Sequence, residues 1–146
     1  MEIKIRAATE KDFSEIFELI KKMANFAGGK IENSVEKMRA EKNFFGAVVA
    51  ENEQKIVGIA IYFFAYFTWS GKNLFLDDLF VEKNFRGQKI GTKLLQKIFV
   101  IARQNHCAKV RWQVRKENKI AFNFYKKMGA EIDEKFCNCS LAAGKF

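Results

Sequence analysis

The chain has 146 residues, of which 49% are hydrophobic and 29% charged, with a formal net charge of +9. That balance excludes a disordered chain, and the length predicts one domain, 1–146, that buries roughly 70% of its unfolded surface without a disulfide or metal staple. The charge favours an anionic partner such as nucleic acid, an acidic membrane surface or a polyphosphate, but the lysines are spread along the chain, so a solvated basic surface is the default reading.

Ile3 to Ala7 alternates and predicts a first strand. Thr9-Glu10-Lys11-Asp12 resembles a capping box with Asp in place of Glu. The helix it opens carries Phe13, Ile16, Phe17, Ile20 and Met23 at helical spacing and ends at Gly28-Gly29. A second, short helix is predicted from Asn33 or Ser34 to about Glu41, and the loop between the two helices borders a possible substrate site. Phe45 to Glu51 and Ile56 to Phe64 predict a hairpin around a polar turn. The aromatic run Phe63 to Trp69 has no clear period; core packing is its first reading and the wall of a pocket its second. Ser70 to Asn73 is expected to turn the chain into a strand from Leu74 to Val81.

A basic turn follows, Arg86-Gly87-Gln88-Lys89-Ile90-Gly91, and leads straight into a helix whose apolar face is Ile90, Leu94, Leu95, Ile98, Phe99, Ile101 and Ala102. Lys109 to Val114 predicts a strand, and Glu117-Asn118 caps a helix running to about Met128, with Gly129 at its C′ position. Phe136 to Leu141 alternates and is expected to close the sheet. The order β-α-α-β-β-β-α-β-α-β defines an α/β protein, one mixed sheet flanked by helices. Cys107, Cys137 and Cys139 show neither a CxxC pair nor metal-ligand spacing, and His106 stands alone, so reduced thiols in a cytoplasmic protein and no metal are expected. Without an apolar N-terminal segment or a span of about 20 apolar residues, neither export nor membrane insertion is expected.

The turn at Arg86 to Gly91 is the first candidate for chemistry. Free N–H groups and the positive end of the helix dipole point at it, Gly87 and Gly91 permit close approach, and Arg86 adds a fixed charge. Taken alone, a strand-to-helix turn with two glycines is more often just a turn. The turn together with Asn118, the segment Ala121 to Ala130, Tyr66 to Lys72 and Leu76-Asp77-Asp78-Leu79-Phe80-Val81 resembles the GCN5-related N-acetyltransferase (GNAT) superfamily. Within it, the chain is most similar to the diamine (spermidine/spermine) acetyltransferases.

The resemblance implies a GNAT-like fold and acetyl-CoA as cosubstrate. Arg86, Gly87, Gln88, Lys89 and Gly91, with Thr92 behind them, match the loop that holds the cofactor's pyrophosphate. Leu79 and Val81 match backbone that pairs with the pantetheine arm on a strand splayed from its neighbour, and the Leu79–Phe80 backbone offers an N–H to the thioester oxyanion. Asn118 matches a residue that contacts the cofactor arm, Tyr125 the general acid, and Asp77 a glutamate proposed as base. Asp78 and Trp69 join Asp77 as substrate-binding candidates. Each has a structural reading beside this one. Tyr125 fits core packing with a solvated hydroxyl. Asp77 and Asp78 alternate along a strand, so they are expected on opposite faces, and one simply reaches solvent or a lysine.

Two departures from the family pattern stand out. Lys89 replaces the middle glycine of the loop, either obstructing phosphates or adding a contact to them. The acidic cluster that suits a polyamine is replaced by Asn25 to Glu32, with one acid and one base. Asp77, Asp78, Glu82, Glu32 and Glu36 are the acids left to form a pocket. The first expectation is direct acetyl transfer to a small primary amine, a diamine, polyamine or lysine-like amino acid, by a homodimer. The second is acetylation of a protein N-terminus or lysine. A basic nucleic-acid-binding module is the third; it has the charge but no nucleic-acid motif.

Overall fold

The computed structural model describes residues 2–146, which fall into two compact units, one ending at Gln113 and one running from Val114 to Phe146. The first unit holds five strands in the order β1-β2-β3-β4-β5. They are β1 (Lys4–Ala7), β2 (Gly46–Asn52), β3 (Lys55–Phe67), β4 (Gly71–Val81) and β5 (Lys109–Trp112). The first four pair antiparallel and β5 joins β4 in parallel, which makes the sheet mixed. Helices α1 (Phe13–Ala27), α2 (Val35–Ala40) and α3 (Ile90–Gln104) complete this unit, and α4 (Lys119–Lys127) lies in the second.

The two faces of the sheet follow from alternation along its strands. On one face, Ala47, Val49, Ile56, Ile59 and Ile61 meet Phe13, Ile16 and Leu19 of α1 and Met38 of α2. On the other lies α3, packed on β2, β3 and β4 with Ile90, Leu94, Leu95 and Ile98 fully buried. Gly58 lets α3 come this close: a Cβ there would stand 3.2 Å from Leu94 Cδ1.

Local signals account for the element ends. Asp12 accepts from the Thr9 backbone N–H at 2.7 Å and the Thr9 hydroxyl at 3.2 Å, the expected box with Asp in Glu's place. Ser34 Oγ accepts from Lys37 N–H at 3.1 Å and opens α2. Gly28, at φ 72°, ends α1 in the left-handed conformation that costs glycine least.

Three expectations are corrected. The β3–β4 hairpin runs further than predicted, because the aromatic run through Phe67 continues the strand and Gly71 to Asn73 belong to β4 rather than to a turn. That run is not core: Phe63 is half-buried, while Phe64, Tyr66 and Trp69 are exposed. Phe136 to Leu141 forms no strand; its apolar members Phe136 and Leu141 lie exposed, and alternation without an available strand edge does not make a ladder.

Candidate active site

The site begins with a bulge in β4. Tyr62 pairs with Leu76, but its neighbour Ile61 pairs with Asp78, which leaves Asp77 as the extra residue. Residues directly opposite share a face, so Leu76 lies on the α3 face and Asp78, two residues on, lies on the face of α1 and α2. An inserted residue inverts the parity of the strand and re-aims the side chains beyond it. Without it, Asp78 would be driven under α3.

The bulge interrupts the alternation from which the two aspartates were expected on opposite sides of the sheet. They are close enough for the charge of Asp77 to act on Asp78, whose carboxyl is pushed up to about 6, first by burial and then by that neighbouring charge. Burial raises Asp77 as well. Just beyond them, on the face of α1 and α2, Phe63 and Phe75 stack at 5.1 Å.

Beyond the bulge, β4 loses its parallel neighbour. The β4–β5 ladder runs from Asn73 with Lys109 to Leu76 with Trp112, and among the described residues Asp77 to Val81 have no partner on that side. Glu82 N–H donates to Val57 O at 2.9 Å across the β3 side. Backbone groups alternate between the two edges of a strand, so Val81 and Leu79 present their N–H and C=O to the gap while Phe80 presents its own to β3. Leu79 is therefore open at both groups and Val81 at its N–H, while the Val81 carbonyl accepts from Arg86 and the Phe80 backbone is engaged in the sheet. That leaves Leu79 as the open N–H of the expected pair.

The cofactor loop follows at the end of β4. Gly87 has φ 79°, and a Cβ there would meet nothing within 4 Å, so the backbone is accessible. The N-cap of α3 is Lys89, whose side chain does not cap the helix, and the first N–H groups of α3 face the loop. Lys89 has φ 61°, the left-handed conformation that a glycine adopts freely. This is the physical reason a glycine suits the position. Val81 Cγ2 stands 3.9 Å from where Gly91 would carry a Cβ, so the open strand edge ends at the helix N-terminus.

The Arg86 side chain reaches back to the end of β4. Its Nε–H donates to Val81 O at 2.9 Å, and its guanidinium carbon lies 5.4 Å from the Phe80 ring and 5.5 Å from the Phe26 ring. A groove of about 330 Å³ surrounds it, lined by Lys22, Phe26, Phe80, Glu82, Lys83, Asn84 and Arg86. Sequence reading missed Phe26, because a single apolar residue at the end of an amphipathic helix looks like helix packing. Glu82, expected in an acidic pocket, is instead neutralised by Lys22 and Lys55.

Trp69 stands apart from the aspartates. It is fully exposed at the tip of the hairpin, and the six residue steps from Gly71 to Asp77 span roughly 20 Å of strand. In the second unit, Asn118 Oδ1 accepts from Ala121 N–H at 3.2 Å and caps α4, the helix that carries Tyr125. Tyr125 is buried, its ring stands 5.4 Å from Phe124, and burial raises its phenol above the usual range.

An α/β fold with a bulged strand followed by a glycine-bearing loop at an uncapped helix N-terminus offers an extended backbone edge beside a ready anion site. The model of the acetyltransferase (GNAT) family matches residues 11–130, and the chain belongs to that family. It is an acetyltransferase. The thialysine N-epsilon-acetyltransferase of Mus musculus is 36% identical over 142 residues, covering 88% of this chain and 84% of that protein. The spermidine/spermine N(1)-acetyltransferase-like protein 1 of Homo sapiens is 31% identical over 139 residues, covering 86% of this chain and 20% of that protein. A solved structure of a predicted acetyltransferase with acetyl-CoA from Clostridium acetobutylicum superposes with a TM-score of 0.79 at 20% identity, covering 95% of this chain and 96% of that one, a likeness of fold.

Proposed function

We propose that the protein transfers the acetyl group of acetyl-CoA directly to a small primary amine, with a lysine-like amino acid or a diamine as acceptor. The observation that carries the reading is the coincidence, on one strand, of a raised carboxylate pair and an open backbone edge that ends at the cofactor loop. The relatives' names support a small amine with a second functional group. The family match crosses from the first unit into the second, which supports a single acetyltransferase domain over 1–146.

An amine at neutral pH is mostly protonated and must lose a proton before it attacks. The Asp77–Asp78 pair accepts that proton; with Asp78 near 6 it is mostly ionised at neutral pH and still basic enough to act. Acetyl-CoA supplies an activated thioester carbonyl. The Leu79 N–H donates to the carbonyl oxygen as negative charge develops there. The amine nitrogen forms the new C–N bond, the C–S bond breaks, Tyr125 donates its phenolic proton to the leaving thiolate, and the second proton released by the acetylated nitrogen passes through solvent to restore the Tyr125 phenol. The N–H groups of Gly87 to Thr92 hold the diphosphate, Lys89 adds a charge beside it, and Asn118 contacts the arm. No covalent enzyme intermediate is formed. The protein works as a homodimer in the cytoplasm.

The test is release of coenzyme A from acetyl-CoA over a panel of amines: thialysine, lysine, putrescine, spermidine and a lysine peptide. Selective turnover of one small amine is expected, with Asp77→Asn, Asp78→Asn and Tyr125→Phe each lowering kcat by roughly ten- to a hundredfold. Turnover of the peptide alone would move the acceptor to proteins. A monomer by light scattering at micromolar concentration would remove the dimer.

A further inference from the structure

We propose that Arg86 is a latch on the open edge of β4, held there by Phe26, and that it exchanges the Val81 carbonyl for a diphosphate when the acyl carrier binds. The proposal rests on the acetyl-CoA reading above. Val81 is one of the two residues whose C=O faces the gap left by β5, and that carbonyl is the one Arg86 Nε–H already occupies at 2.9 Å. The same guanidinium lies between two rings, Phe80 from β4 and Phe26 from the last turn of α1, at 5.4 and 5.5 Å. Phe26 is 75% exposed, so its ring serves no core, and it lies against the Arg86 guanidinium. Nothing in β4 itself requires an aromatic residue at the end of α1.

An extended amide chain entering the gap must take the Val81 carbonyl for its own N–H, which displaces Arg86. A diphosphate at the neighbouring loop then offers the freed guanidinium a stronger, charge-assisted partner. The arm alone offers no such exchange. Arg86 therefore opposes the bare arm and favours the arm that carries phosphates, a selection for the intact carrier over its dephosphorylated fragments. Phe26 is a positioning residue: it acts on the carrier only through Arg86, and it ties the loop between α1 and α2 to the cofactor edge.

The experiment compares coenzyme A with pantetheine, which has the arm and no diphosphate, by titration calorimetry or ligand-observed NMR. Wild type, Arg86→Gln, Phe26→Ala and Phe26→Tyr are measured side by side. Arg86→Gln is expected to bind coenzyme A about tenfold more weakly and pantetheine about two- to fivefold more tightly. Phe26→Ala is expected to bind pantetheine about two- to fivefold more tightly, the share of one ring–cation contact, and Phe26→Tyr to behave as wild type. Weaker binding of both ligands by Arg86→Gln, or pantetheine binding unchanged by it, overturns the latch. Pantetheine binding unchanged in Phe26→Ala overturns the part given to Phe26. Failure of the wild-type protein to bind coenzyme A at all counts against the acetyltransferase site itself, a separate outcome.

Discussion

Asp78 holds its proton to higher pH than an ordinary carboxyl because it is buried and faces the charge of Asp77. Removing that charge lowers it, while the burial remains. Asp77→Asn is therefore expected to shift the acid limb of kcat/KM below its wild-type position near pH 6, a movement visible in a pH–rate profile of the residual activity. Two coupled carboxyls titrate as a pair, so the wild-type limb belongs to both. Arg6 and Asp12 show the opposite case. Arg6 donates to both Asp12 oxygens at 2.8 and 2.9 Å, and the guanidinium holds the buried Asp12 down to about 2. A depressed carboxyl contributes stability above about pH 4 that is lost as pH falls towards 2. Arg6→Ala is expected to cost about 2 kcal/mol at pH 7 and to move acid unfolding to higher pH, both readable in urea melts at stepped pH.

At the scale of elements, three turns among the described residues carry left-handed residues that are not glycine, at Glu53–Gln54, Lys89 and His106. Glu53 and Gln54, at φ 49° and 68°, form the two-residue loop between Asn52 and Lys55 of the β2–β3 hairpin. That geometry favours Asn-Gly. The double variant Glu53→Asn, Gln54→Gly is expected to raise stability by about 1 kcal/mol without touching the site, as a shift in urea midpoint at unchanged kcat. Lys89, at φ 61°, has the same backbone cost at the entry to α3. Lys89→Gly should raise stability by a similar amount. If the lysine adds a phosphate contact, the same variant binds acetyl-CoA more weakly; tighter binding would mean that Lys89 obstructs the loop.

At the scale of the molecule, a net charge of +9 draws in a polyanionic carrier and repels a polycationic acceptor. Affinity for acetyl-CoA is expected to fall several-fold between about 50 and 500 mM salt, by the amount that screening removes, while KM for spermidine falls over the same range. Calorimetry and steady-state kinetics at stepped ionic strength read the two slopes. Among the described residues, no helix is long and apolar enough to cross a membrane.

The order of helices and strands from β1 to α4, the caps at Thr9–Asp12 and Ser34, the glycine ends and the loop from Arg86 to Gly91 were legible in the chain, because each rests on contacts a few residues apart. Leu79 and Val81 were legible only through resemblance; their exposure to the gap depends on where β5 stops. Three features belong to the tertiary structure alone. Asp78 lies on the face of α1 and α2 because β4 carries one residue more than β3 opposite it, a register that neither strand encodes by itself. Arg86 rests on Val81 and Phe26 because α1 ends beside the last residues of β4, which lie far from it in sequence. Phe136 to Leu141 has the alternation of a strand and no ladder, since pattern supplies a face while only a neighbouring edge supplies hydrogen bonds.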